Sequence, residues 1–220
     1  MKIIGYDFDG VFVNIEQEKA ALFGRILHEH WRVDAKTAIK VWFANLGTSR
    51  RHKFDLLYRK KFHKDLPNEV YEEIEYEFSS LLMKDYYPNA RLVHETAEAA
   101  RELNSSFDLS FISSGIPHAE LNYLTARFKL DPCFSRILGT NESFRSKADH
   151  FEVITEASEP SLGLFIADGL EDMRIARQFG FVAIGLPTNH TPEELREAGA
   201  DVICEPPALK QEIQRRIGLA

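Results

Sequence analysis

From Ile15 to Tyr86 the chain runs in helical periodicity with hardly a breaker, and then its texture changes. Ala20, Phe23, Leu27 and Trp31 recur at three- and four-residue spacing, as do Val70, Ile74, Phe78 and Leu81. Ala35–Leu46 and Arg51–Phe62 also read as helices, separated by the Gly47-Thr48-Ser49 turn, and Pro67-Asn68 opens the last one. Residues 15–86 are therefore expected to form an all-helical lobe of four helices. Past Tyr86-Tyr87-Pro88-Asn89 the pattern becomes strand–helix alternation. Strands are expected at Phe107–Ile112, Phe134–Leu138, Leu162–Ala167, Phe181–Gly185 and Asp201–Cys204. Helices are expected at Leu92–Leu103, around Leu121, Leu124 and Phe128, at Met173–Phe179, and at the C-terminus through Leu209, Ile213 and Ile217. Residues 2–8, ahead of the lobe, read as a buried strand. Such alternation implies a parallel sheet with helices on both faces. The expected class is α/β, a Rossmann-like core of residues 1–14 and 87–220 interrupted after its first strand by a helical insertion, residues 15–86.

Composition narrows the function classes. Of 220 residues 44% are hydrophobic, enough for a real core, which excludes a disordered or collagen-like chain. The net charge of −7 argues against a general nucleic-acid binder, since phosphate neutralisation needs a basic face. That charge is unevenly placed: residues 15–86 carry 13 Lys+Arg and 12 Asp+Glu, the rest 14 and 22. The N-terminal apolar run is too short for a signal peptide, and no stretch approaches the roughly 18 apolar residues of a membrane span. Cys133 and Cys204 are far apart and lack metal-ligand spacing. A cytoplasmic protein, monomer or homodimer, with no membrane or nucleic-acid partner is expected.

In open parallel sheets ligands bind at the carboxyl ends of the strands. The first strand ends in Asp7-Phe8-Asp9-Gly10, the second in Ser113-Ser114-Gly115 ahead of a helix, and the Leu162–Ala167 strand in Asp168-Gly169-Leu170-Glu171-Asp172. Lys147 lies on a polar connection. Asp7, Asp168 and Asp172 would crowd negative charge at one place, which favours an oxygen-liganded cation such as Mg2+. Asp7 and Asp9, two residues apart on an extended segment, would point the same way. The Ser113 hydroxyl, the N–H groups of Ser114 and Gly115 and the Lys147 charge suit a phosphoryl group.

These residues resemble the four ordered motifs of the haloacid dehalogenase (HAD) superfamily: Asp7-Phe8-Asp9-Gly10-Val11, Ser113, Lys147, and Asp168 through Asp172. The helical insertion resembles the cap of the phosphoglycolate phosphatase and β-phosphoglucomutase branch. The resemblance implies that Asp7 attacks phosphorus, Asp9 acts as acid and base, and Ser113 and Lys147 hold the phosphoryl oxygens. It further implies Mg2+ bound by Asp7, the Asp9 carbonyl and Asp168, with Asp172 assisting. Gly169 and Val11 depart from the commonest pattern, where Ser and Thr stand. A Mg2+-dependent phosphatase acting on a small phosphorylated metabolite is the reading this supports. The alternatives are a phosphomutase, or a non-catalytic phosphate-binding or signalling module.

Residues 50–64 hold Arg50, Arg51, Lys53, Arg59, Lys60, Lys61 and Lys64 against one acid, Asp55. The later group suits a solvated helix face. Arg50 and Arg51, following the Gly-Thr-Ser turn, are expected to face the core and read the non-reacting part of an anionic substrate.

Overall fold

The computed structural model describes residues 1–156 and 160–219. Its sheet consists of β1 (Lys2–Tyr6), β2 (Leu109–Pro117), β3 (Arg136–Thr140), β4 (Leu162–Ala167), β5 (Val182–Gly185) and β6 (Val202–Ile203). Their order is β3-β2-β1-β4-β5-β6 with every pairing parallel. The strand order reverses beside β1, the kind of crevice in which open α/β sheets bind ligands. The fold is a Rossmann-like α/β core with helices inserted after its first strand, as expected.

Strand periodicity separates two apolar faces. Ile4, Tyr6, Ile112, Leu164, Ile166 and Ile184 line one, while Ile3, Phe111, Phe165, Ala167 and Ala183 line the other. Tyr6 pairs with both Ile112 and Ile166, so Asp7, Ser113 and Ala167 come next at one level. Gly5 is required there, because a Cβ would strike the rings of Phe111 and Phe165.

The insertion is built from α1 (Glu16–Trp31), α2 (Ala35–Ala44), α3 (Arg50–Phe62) and α4 (Asn68–Leu81), the four helices read from periodicity. Asp34 and Ser49 cap α2 and α3 by accepting from the Thr37 and His52 N–H groups. Phe23 sits at the centre of an aromatic cluster, 4.9 Å from Phe54 and 5.0 Å from Trp42, ring to ring. Each such side chain contributes about 1.5–3 kcal/mol by leaving water. This cluster is continuous with the face carrying Ile4 and Tyr6, so insertion and sheet share one core. A π-turn at Leu82–Tyr86 and a short 3₁₀ turn at Tyr87–Asn89 return the chain to the sheet.

The core helices are α5 (His94–Leu103), α6 (His118–Arg127), α7 (Lys147–Thr155), α8 (Leu170–Gln178), α9 (Pro192–Ala198) and α10 (Pro206–Ile217). Two of these, α7 and α9, were not anticipated. Both begin with a reciprocal cap, Ser146 with Asp149 and Thr191 with Glu194, each legible in the sequence as S/T-x-x-D/E. Lys147 therefore opens a helix and does not lie on a loose polar connection. The second strand also runs five residues beyond its expected end at Ile112, because an irregularity after Ser113 lets Pro117 pair with Thr140. Ser114 and Gly115 consequently belong to a strand end, and the following helix starts only at His118. Among the described residues no helix is long and apolar enough to cross a membrane.

Candidate active site

A small cavity of about 40 Å3 lies between the ends of β1, β2 and β4 and the insertion. Its walls include Asp7, Asp9, Ser114, Gly115, Lys147 and Asp168 from the core, and Glu16, Lys19, Trp42, Thr48, Arg50 and Lys53 from the insertion. One water needs roughly 10–15 Å3, so the cavity has room for only a few.

Asp7 follows β1 directly and is buried. Its Oδ1 accepts from the Phe8 N–H at 2.7 Å and lies 2.9 Å from Lys147 Nζ. Burial pushes its carboxyl up to about 6; Asp172 adds to the rise while Lys147 opposes it. Lys147 also reaches Asp172 Oδ1 at 2.5 Å. Despite its burial, the Lys147 ammonium is held above the usual lysine range by Asp172 and Asp7.

Asp9 does not share these partners. Strand pairing stops at Tyr6 and Gly10 turns with φ +73°, so the two acids do not lie along one extended edge as their spacing suggested. Asp9 forms an ion pair with Lys19 of α1, whose ammonium also lies 3.3 Å from Glu16 Oε1. Glu16 in turn accepts from Trp42 Nε1 at 2.6 Å. Burial brings the Asp9 carboxyl up to about 7, against the pull of Lys19.

Asp168 ends β4 and is buried. Its Oδ2 accepts from Asn189 Nδ2 at 2.6 Å, and burial together with Asp7 holds its carboxyl well above the usual range. Gly10 must lack a side chain, since a Cβ would collide with the Asp168 carboxylate. Asp172, in the first turn of α8, leaves Oδ2 buried without a hydrogen-bond partner. Among the described residues no three His, Cys, Asp or Glu side chains form a ready-made metal cage. Asp7 and Asp168 could hold an ion that completes its shell with a carbonyl and waters, the habit of Mg2+.

The other expected residues divide. Ser114 and Gly115 line the cavity, Ser114 Oγ accepting from the Ile116 N–H at 3.2 Å. Ser113 is level with Asp7, but its Oγ is 2.9 Å from Nδ1 of the buried His150. Burial lowers His150 to about 4, so it is neutral. Arg50 reaches the cavity wall, yet its guanidinium is engaged by Glu75 at 2.6 Å and by Glu120 at 2.9 and 3.0 Å. Arg51 is not brought to the cavity. It bonds to Asp55, Asn68 and the Leu66 carbonyl and covers the Tyr71 ring.

Glu16, Lys19, Trp42 and His150 escaped the sequence reading, and Lys53 figured in it only as one charge of the basic run. Of the four, Glu16 and Lys19 left a trace, as charges at the start of a helix that begins just after the Asp9 turn. The insertion is pressed onto the core by its Gly47-Thr48 turn. A Cβ on Gly115 would stand 2.7 Å from the Thr48 carbonyl oxygen, and one on Gly47 would meet Asp172.

No family model matches the chain, and no curated protein sequence matches it. Solved structures do. A haloacid dehalogenase-like hydrolase from Streptococcus pneumoniae is 20% identical with a TM-score of 0.72, over 97% of this chain and 99% of that one. A predicted phosphoglycolate phosphatase from Haemophilus somnus is 17% identical with a TM-score of 0.74, over 97% and 98%. A Thermotoga maritima protein described as a β-phosphoglucomutase is 15% identical with a TM-score of 0.65, over 98% and 99%. At these identities the likeness concerns the fold, and it spans core and insertion alike. The chain thus has the haloacid dehalogenase-like fold, in the form that carries helices inserted between the first two strands of the sheet.

Proposed function

We propose that the protein is a Mg2+-dependent phosphatase acting on a small phosphorylated metabolite, phosphoglycolate phosphatase-like, through an aspartyl-phosphate. The observation that carries this reading is the pair of carboxylates on separate partners, the buried Asp7 on Lys147 and the half-buried Asp9 on Lys19. With its carboxyl at about 6, Asp7 is ionised at neutral pH and suits a nucleophile. Asp9, at about 7, can give and take a proton at that pH. The likeness to phosphatase structures supports the same reading.

Asp7 Oδ attacks phosphorus, the bond to the ester oxygen breaks, and Asp9 passes its proton to the departing alcohol. Asp9 then takes a proton from water as that water attacks phosphorus. The acyl phosphate breaks, inorganic phosphate leaves and the Asp7 carboxylate is restored. Lys147, Ser113 and the Ser114-Gly115 strand end would hold the phosphoryl oxygens. Asp7, Asp168 and the Asp9 carbonyl would hold Mg2+, with Asp172 behind them; its orphaned oxygen fits a nearby positive charge. The ion would offset charge on the phosphoryl oxygens.

Phosphate release from a panel of phosphorylated metabolites, with and without Mg2+, tests the reading; failure on every compound would overturn it. The second reading is a phosphomutase, supported by the likeness to the Thermotoga maritima protein. It predicts that a sugar monophosphate is isomerised, by way of its bisphosphate, without net phosphate release.

A further inference from the structure

Lys53 lies in the first turns of α3 and is 5% exposed, with its ammonium facing the cavity. One of its three donors is used, on the Thr48 carbonyl at 2.9 Å, and the Trp42 ring centre lies 4.9 Å from Nζ. The cavity's other cations are matched by carboxylates: Lys19 by Asp9 and Glu16, Arg50 by Glu75 and Glu120, Lys147 by Asp7 and Asp172. Among the described residues no carboxylate forms an ion pair with Lys53. A buried ammonium is costly unless paired. Consistently, burial brings the amine down to about 8, with Glu16 opposing and Lys147 and Lys19 adding to the fall.

Its position is fixed from two sides. Thr48, whose carbonyl accepts its hydrogen bond, belongs to the turn that rests against Gly115 at the end of β2. The ammonium is thereby held in the cavity that the insertion shares with Asp7, Asp9 and the Ser114-Gly115 strand end. The N-terminus of α3 adds its own positive end to the same corner.

We propose that Lys53 recognises an anionic substituent on the leaving alcohol, making the preferred substrates small phosphomonoesters whose alcohol carries a carboxylate or a second phosphate. This rests on the phosphatase reading and moves to Lys53 the role expected of Arg50 and Arg51. An anion arriving beside Trp42 supplies the partner that the chain itself withholds.

The test compares wild type, Lys53→Met and Lys53→Arg on 2-phosphoglycolate, 1,3-propanediol bisphosphate, ethyl phosphate and p-nitrophenyl phosphate. Wild type should favour at least one of the first two over ethyl phosphate by more than about tenfold in kcat/KM. Which one separates a carboxylate from a phosphate ligand. Lys53→Met should lose about 30- to 100-fold on that substrate, mainly through KM, and stay within about threefold on the other two. Lys53→Arg should recover part of the loss. Binding is read separately in Asp7→Asn protein from Trp fluorescence, where 2-phosphoglycolate or the bisphosphate should bind more tightly than ethyl phosphate only while Lys53 is present. Equal effects of Lys53→Met on charged and neutral esters, or no preference in wild type, would overturn the inference while leaving the phosphatase reading intact. Loss of all turnover in wild type would instead remove the phosphatase reading, and the binding comparison would still decide the role of Lys53.

Discussion

Arg50 of the insertion and Glu120 of the core form a buried two-pronged ion pair, Nη1 to Oε1 at 2.9 Å and Nη2 to Oε2 at 3.0 Å. Tyr87, where the chain re-enters the core, donates to the same carboxylate at 2.6 Å, and Ser79 donates at 2.5 Å. The arginine that would otherwise meet a substrate is committed to holding α3, α4 and α6 together.

Arg50→Met should therefore act on stability before it acts on specificity. It leaves Glu120 and Glu75 buried without their cation, a loss of about 3–5 kcal/mol. Urea unfolding should show this, while the ratio of kcat/KM between charged and neutral esters stays near wild type.

The same pair sets an acid limit. Burial raises the Glu120 carboxyl, but Arg50, Ser79 and Tyr87 together bring it down to about 2, below its ordinary 4.5. Its contribution is present above about pH 4.5 and is lost as pH falls through 2. Glu120→Gln should flatten that part of the acid unfolding curve.

Asp7→Asn should remove turnover by more than about a thousandfold while circular dichroism and the unfolding midpoint show a folded protein. Activity retained in this variant would contradict the covalent mechanism.

Mg2+ binding should expel protons. Without metal, burial keeps the Asp7 carboxyl at about 6 and raises the Asp168 carboxyl well above its ordinary value, so at pH 6 Asp7 is partly protonated and a cation must displace that proton. Calorimetric titration at pH 6 in buffers of different ionisation heat should reveal the release. The proton count should fall as pH rises.

Gly47→Ala should damage catalysis more than folding. Gly47 has φ +88°, and a Cβ there would strike Asp172, so the turn could not seat on the core. Stability should fall by about 1 kcal/mol, whereas kcat/KM should fall by up to about a hundredfold.

The architecture was legible because its signals are local: helical periodicity marked the insertion, and β4 was bounded to the residue at Leu162–Ala167. Strand-end chemistry likewise picked out Asp7, Asp9, Asp168 and Lys147, all of which line the cavity. Partnership was not legible. Whether Arg50 meets a ligand or Glu120 depends on a helix seventy residues away, and the Ser113–His150 contact depends on how α7 lies across β2. Lys53 looked like one charge in a basic run; only packing against Trp42 and the Thr48 turn distinguishes it from Lys60 or Lys61.

The chain leaves the sheet and returns to it side by side. Val13 is bridged to Leu92, and the Val93 N–H donates to the Phe12 carbonyl at 2.8 Å. The ends of the whole helical insertion are thus joined at its base, within reach of an ordinary turn. Exchanging one set of helices for another would demand little of the sheet, since the stitched stem already closes the gap. The insertion is attached like a graft on a rootstock, and a lineage could change what it acts upon by replacing the scion while the stem and the Asp7 end of β1 stay untouched.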